Sequence, residues 1–328
     1  MGRRSGDRRL ARALAALALC AAAPVAVAQD YPTRPIRMVV GFAPGGANDT
    51  IARLVAGGLQ ARLGQPVVVD NRPGMGGNLG ADAAAKAAPD GYTLFLGSTG
   101  TNAVSPGLYP KLPYDPAKGL AAVSMVAMSG NLVVVNAELP FKSVRELVAH
   151  AKAHPDRLNY GSSGNGSTLH LAGEIFKDLA GVRMVHVPYK GDALALADLA
   201  AGQIQVTFSG IPPTLPFVRS GKARILAVTS AQRMPTLPDV PTVAESGVPG
   251  MDVSTWYGVF TTGGTPAAVL DRLAAEVKAV VDQPSFGRQL ADQGLVTSSS
   301  TPAQFGRFVQ QEIERWGKAV KAADIKVD

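Results

Sequence analysis

The sequence predicts an α/β protein in two blocks, each a mainly parallel sheet flanked by helices. Three observations carry this prediction. Short β-branched runs alternate with segments of helical periodicity from Pro32 to the end of the chain. An opening of strand, glycine-rich turn and helix occurs in each half. Of 328 residues, 46% are hydrophobic and 17% charged, a balance that excludes disorder and allows two ordinary domains with their own cores. The 36 Gly and 24 Pro stay below the roughly 25–30% that marks low-complexity chains, so they imply turns between ordered elements.

The first strand is Ile36-Arg37-Met38-Val39-Val40, which stops at a glycine turn before Ile51, Leu54, Val55, Leu59 and Leu63 recur at helical spacing. Strands follow at Val67 to Val69, Tyr92 to Leu96 and Val123 to Val126, each bounded by Gly or Pro. A second block begins near Leu132-Val133-Val134-Val135. There, Ser143 and Glu146 form a capping box ahead of Val144, Leu147, Val148 and Ala151. Leu158-Asn159-Tyr160 feeds a second glycine turn and a helix carrying Leu171, Ile175, Phe176 and Leu179. Strands at Val185 to Val187, Val206 to Phe208 and Arg224 to Thr229 complete this block. A proline-rich stretch, Met234 to Pro249, leads to a crossing strand at Trp256 to Thr261, and helices at Pro266 to Asp282 and Ala303 to Ala323 close the chain.

A turn from a parallel strand into a helix aims free N–H groups outward, where the helix dipole adds partial positive charge, so anions bind there without Lys or Arg. Three such turns occur: FAPGGAND from Phe42 to Asp49, GSTGTN from Gly97 to Asn102, and GSSGNGST from Gly161 to Thr168. Each by itself reads first as a tight turn, but three of them at strand carboxyl ends, in two blocks, point to a ligand cleft between domains. Asp49 reads as a cap or first-turn carboxylate. Lys190 is open between a solvated charge and a cleft residue. Trp256 and Tyr257 read as core or hinge packing.

Other function classes fit poorly. No Gly-x-Ser-x-Gly elbow or P-loop occurs, and GMGGNLG from Gly74 to Gly80 is a poor dinucleotide fingerprint. Of the four histidines, only His150 and His154 lie four apart, without the Glu of a zinc-protease helix. A hydrolase built on Ser163 and His170 rests on one serine and one histidine. No cofactor and no metal are expected.

The first 28 residues read as a secretory signal: Arg3, Arg4, Arg8, Arg9 and Arg12 near the start, an apolar run from Leu10 through Val27, and a small-x-small ending at Ala26-Val27-Ala28. Without them the formal charge drops from +7 to +3, which is no nucleic-acid footprint. Cys20, the one cysteine, follows Leu19 where a lipoprotein signal wants a small residue, so lipidation is disfavoured and the mature chain has no thiol. Arg8-Arg9 hints at twin-arginine export. Either route leads to the periplasm, and no other run reaches the ~20 apolar residues of a membrane helix.

PGGAND at Pro44 to Asp49, NRPGMGGNLGAD at Asn71 to Asp82, APDGYTLFLGSTGTNAVSP at Ala88 to Pro106, LNYGSSGNGSTLHLAGEIF at Leu158 to Phe176, VPYKG at Val187 to Gly191 and LPDVPTVAESG at Leu237 to Gly247 together resemble the Bug (TctC-like) family of extracytoplasmic solute receptors. The resemblance implies a two-lobed periplasmic-binding-protein type II (Venus-flytrap) fold. It also implies a monomer that delivers a small organic acid to the membrane subunits of a tripartite tricarboxylate transporter; a receptor signalling to a membrane kinase is the alternative. Carried over by motif, the ligand contacts are Phe42, Gly45, Gly46 and Ala47 with Ser98, Thr101 and Asn102 from lobe one. Lobe two would add Ser162, Ser163, Gly164, Ser167, Thr168 and His170. Many members carry Asp where this chain has Ser209, which disfavours a ligand with an ammonium group. The expected division is 29–130 plus 254–328 for lobe one and 131–253 for lobe two, hinged near Gly130 to Val133 and Val253 to Tyr257.

Overall fold

The computed structural model describes residues 31–322. The signal segment, its cut after Ala28 and Cys20 lie outside the described residues. The chain divides into two compact units, Met1–Thr33 and Arg34–Asp328, and everything below belongs to the second.

In chain order the elements are β1 (Ile36–Val40), α1 (Ala47–Leu63), β2 (Val67–Asn71), α2 (Asn78–Ala85), β3 (Thr93–Ser98), α3 (Ser105–Leu108), β4 (Leu120–Gly130) and β5 (Leu132–Asn136). Next come α4 (Val144–Ala153), β6 (Asn159–Ser162), α5 (Thr168–Ala180), β7 (Val185–Pro188), α6 (Asp192–Ala200), β8 (Val206–Ser209), α7 (Ile211–Arg219) and β9 (Ala223–Val228). The chain ends with β10 (Ser254–Thr262), α8 (Ala267–Val281), α9 (Pro284–Asp292), β11 (Val296–Thr297) and α10 (Pro302–Ala322). The capping box forms at α4, where Ser143 Oγ accepts from Glu146 N and Glu146 Oε2 accepts from Lys142 N.

The strands assemble into two sheets, ordered β11-β4-β10-β3-β1-β2 and β7-β6-β8-β5-β9. Both are mixed rather than mainly parallel. β1 pairs in parallel with β2 and β3, and β6 with β7 and β8. β10 runs antiparallel to β3 and β4, and β5 runs antiparallel to β8 and β9. β5 and β10 each enter their sheet from the other one, so the two-lobed connectivity imposes their direction, and β11 at the sheet edge is also antiparallel to β4. This is the two-lobed type II periplasmic-binding-protein fold. α9 is a helix that the sequence reading did not assign; Pro284 at its first turn starts it.

Burial on both faces explains why the strands read as continuous apolar runs. In β5, Val133 and Val135 join a core with Tyr160, Phe176 and Phe208, while Leu132 and Val134 join another with Leu196, Leu199 and Ile211 on the opposite face. In the first sheet Trp256 packs edge-on against Phe305 of α10 at 5.5 Å, and its indole N–H donates to Glu312. The main chain passes between the sheets at Asn131 and again through residues 229–253. These passages are tied together: Asn131 Nδ2 and Thr229 Oγ1 donate to Val253 O, and Thr255 Oγ1 donates to Asn131 Oδ1.

Candidate functional site

Two helices begin at the same place, one from each sheet. α1 starts at Gly46, an N-cap without a side-chain hydrogen bond. α5 starts at Ser167, whose hydroxyl accepts from His170 N at 3.2 Å. Between them lies a cavity of about 20 Å³ lined by Phe42, Ala47, Asn48, Ser98, Ser163, Ser167, Thr168, Leu169, Asp192, Gly210, Thr255 and Tyr257. That is room for about one water-sized group, so a larger guest enters only when the sheets part. An outer chamber of about 290 Å³ adjoins it through Ser163 and is lined by Gly74, Met75, Gly76, Tyr109, Gly164, Asn165, Pro188, Tyr189 and Lys190.

The turn after β1 is held from below. Asp49 Oδ2 accepts from Gly45 N at 3.0 Å and from Arg53 Nε at 2.9 Å, and its Oδ1 accepts from Asn71 Nδ2. Asn71 Nδ2 also donates to Phe42 O. Burial works to raise the Asp49 pKa, but these donors together hold the carboxyl below its ordinary range. Asp49 therefore fixes the loop from within the first turn, as its position suggested. Gly45 has φ +84, a left-handed conformation that suits glycine. The loop meets the other lobe where Ala43 N donates to Lys190 O at 2.9 Å.

Six of the sequence-predicted ligand contacts line the inner cavity: Phe42, Ala47, Ser98, Ser163, Ser167 and Thr168. The others sit beside it. Gly45 and Gly46 shape the first turn, and Gly164 lines the outer chamber. Thr101 is fully buried; its hydroxyl accepts from Ser98 N and donates to Asn102 Oδ1, so Thr101 and Asn102 serve their own loop. Ser162 Oγ is 2.7 Å from His186 Nε2 and accepts from Gly164 N. His170 Nδ1 accepts from Gly166 N at 3.3 Å, and its ring stacks on His186 at 4.2 Å. No hydrogen bond joins His170 to Ser163 among the described residues, so the pair that a hydrolase would need is not formed.

The hydroxyls of Ser98 and Ser163, 3% and 7% exposed, line the cavity and take no hydrogen-bond partner among the described residues. Asn48 Oδ1 is likewise buried and unpartnered. Sequence reasoning missed Asn48, Leu169, Asp192, Gly210 and Thr255 as lining residues, and read Tyr257 as packing. Tyr257 is 2% exposed, and burial with the nearby Asp192 carboxylate keeps its phenol protonated. Asp192 is held by Gly210 N at 3.1 Å; burial keeps its carboxyl above the ordinary range despite the surrounding amides. Among the described residues no cluster of three or more His, Cys, Asp and Glu could hold a metal. No helix among them is long and apolar enough to cross a membrane.

Comparison with known proteins places this geometry. The pattern of the family described as "Tripartite tricarboxylate transporter family receptor" matches residues 51–325. BugT of Bordetella pertussis is 39% identical over 93% of this chain and 94% of its own length. Among solved structures, Rpa4515 of R. palustris with adipate superposes with a TM-score of 0.88 at 40% identity, covering 90% of this chain and 99% of that one. MatC of Rhodopseudomonas palustris with bound malate gives a TM-score of 0.84 at 35% identity, covering 88% of this chain and all of that one.

Proposed function

The chain belongs to the tripartite tricarboxylate transporter receptor family, and from that premise we propose how its cleft holds a ligand and what it serves. It is a periplasmic solute-binding protein for a small organic acid, with a binding role and no catalytic one. The acid is gripped by backbone N–H groups at the starts of α1 and α5 and by the hydroxyls of Ser98 and Ser163, with Phe42, Ala47, Ser167 and Thr168 completing the walls. The carrying observation is that two helix starts and the hydroxyls of two buried serines, which have no partner among the described residues, converge from both lobes on one cavity. Rpa4515 and MatC, which share the fold at 40% and 35% identity, hold adipate and malate.

Hydrogen bonds to a charged group contribute roughly 1.5–3 kcal/mol each. A few of them, less the cost of ordering, reach about −8 kcal/mol and micromolar affinity. Lobe one comprises 29–130 and 254–328, lobe two 131–253, and the tied passages around Asn131 and Val253 are the hinge. Ligand bridging both lobes shifts the population toward closure, and the closed monomer docks on the membrane subunits of a tripartite tricarboxylate transporter after its signal is removed behind Ala28. Calorimetric titration with a panel of mono- and dicarboxylic acids tests this: at least one acid binds with micromolar Kd. Failure of every acid would refute the assignment.

A further inference from the structure

The walls of the inner cavity hold one carboxyl group and, among the described residues, no Lys, Arg or His. The carboxyl is that of Asp192, which opens α6 in lobe two, is 5% exposed and lines the cavity with Ala47 and Asn48 of α1 and Tyr257 of β10. Its Oδ2 accepts from Gly210 N at 3.1 Å. Its Oδ1 faces lobe one, where a Cβ built on Gly46 would stand 2.3 Å away. The oxygen that already accepts an N–H is the carbonyl-like one, so a proton on this carboxyl belongs to Oδ1.

The charged groups on the surrounding elements are engaged elsewhere. On α1, Asp49 is bound by Gly45 N, Arg53 and Asn71. On α6, Asp198 accepts from the Tyr189 hydroxyl. α7 carries its one charge, Arg219, in its last turn. Lys190 lines the outer chamber, and His170 of α5 stacks on His186. Tyr257 keeps its phenol proton. No cation in the cavity walls therefore offsets a negative charge on Asp192, and burial favours its neutral form.

A ligand carboxylate held between the starts of α1 and α5 shares with Asp192 a cavity of only about 20 Å³ in the closed chain. Two carboxylates in one buried site without a cation cannot both stay charged, and one of them holds a proton. When the lobes part, Gly46, Ala47 and Tyr257 leave with lobe one. Asp192 then meets water and ionises in the ordinary carboxylate range.

We propose that Asp192 is a ligand-binding residue that meets the acid as a neutral carboxyl, donating from Oδ1 to the ligand carboxylate, so that filling the cleft takes up one proton. The proton comes from water or buffer, and the closed cavity carries one negative charge instead of two. This hydrogen bond adds to the amides of the two helix starts. The receptor consequently loads more tightly as pH falls. The inference rests on the reading of the cleft as an organic-acid site.

The test is calorimetry on the full mature chain with lactate, malate and adipate between about pH 5 and 8, in pairs of buffers of unequal ionisation enthalpy, with each acid's own ionisation subtracted. An acid that binds should carry at least about half a proton into the complex at some pH in this range, and its affinity should rise by up to about tenfold per pH unit on acidification. Asp192→Asn keeps an N–H donor at the same place and cannot titrate, so it should bind the same acid with less than half of that uptake. Uptake below half a proton at every pH, or uptake more than half retained in folded Asp192→Asn, overturns the proposal. Should Asp192→Asn melt early, Asp192→Ser is the second variant, and the proton count of the unaltered protein decides independently. If no acid binds, the organic-acid reading itself falls and takes this inference with it, a result distinct from binding without a proton.

Discussion

The two strand-turn-helix openings share a topology and differ in what sits on the helix end. At α1 the N-cap is Gly46, which offers no side chain, and the group packed against it is Asp192 from the other lobe. At α5 the N-cap is Ser167, which satisfies His170 N from within its own turn and leaves the amides of Thr168 and Leu169 to the cavity. Turns of like composition thus bring different groups to the cleft, and composition alone does not decide which.

The largest expected effect comes from breaking the α1 side. Gly46 has φ −79, a conformation open to any residue, so the obstacle to a larger side chain is its neighbour, Asp192 Oδ1 at 2.3 Å from a built Cβ. Gly46→Val displaces Asp192 and holds the lobes apart. Acid binding should weaken by about 100-fold or more, with secondary structure by circular dichroism unchanged; wild-type affinity would remove this turn from the cleft. Next in size is the α5 side. Ser163→Ala removes a hydroxyl that has no partner among the described residues, so stability should hold within about 0.5 kcal/mol. Affinity should drop by about 10- to 100-fold, the worth of one hydrogen bond to a charged group.

How far the comparison could be read from the sequence depends on the range of the contacts involved. Ile36 to Val40 followed by Gly41 and a helical period is local information, and the strand, turn and helix are where that pattern puts them. Ser98, Thr101 and Asn102 share one motif, but only the fold turns the Ser98 hydroxyl to the cavity and commits Thr101 to its own loop. His170 sits three residues after Ser167, a spacing that fits either the cavity or the interior; stacking against His186 decides for the interior. Asp192 looks like any acid in a first helical turn. Nothing near it in the chain announces that Gly46 and Ala47, 146 and 145 positions earlier, will lie against it. The mixed sheets were hidden for the same reason, since the direction of β10 is set by its passage between lobes.

A third way to sharpen the contrast uses pH. Behind the α5 seat, burial first and then the charges of His170 and Lys177 push the His186 pKa down to about 3, and burial lowers that of His170 as well. The fold thus disfavours protonation of both rings, whereas the unfolded chain protonates them near the ordinary value of about 6.5. Between those limits the unfolded state binds more protons, so this contribution to stability is complete above about pH 6.5 and is lost as pH falls. Each such histidine removes up to about 1.4 kcal/mol per pH unit. Asp192 acts in the opposite sense: its raised pKa makes its contribution largest at low pH and lost as pH rises through the folded value. Denaturant melts between pH 7 and 5 should show falling stability, and His186→Gln should flatten the slope by up to one proton. An unchanged slope would mean that His186 is already charged in the fold.

The smallest effect separates capping from binding within one turn. Ser167 lines the cavity as Ser163 does, but its hydroxyl is spent on His170 N. Ser167→Ala should therefore cost about 1 kcal/mol of stability, the usual worth of an N-cap, while acid affinity changes less than in Ser163→Ala. The two variants should then move along different axes, one in the melt and the other in the titration. If Ser167→Ala instead lost affinity as steeply as Ser163→Ala at unchanged stability, the Ser167 hydroxyl would have to leave its cap to meet the ligand on closure, and α5 would offer its guest a third amide at His170.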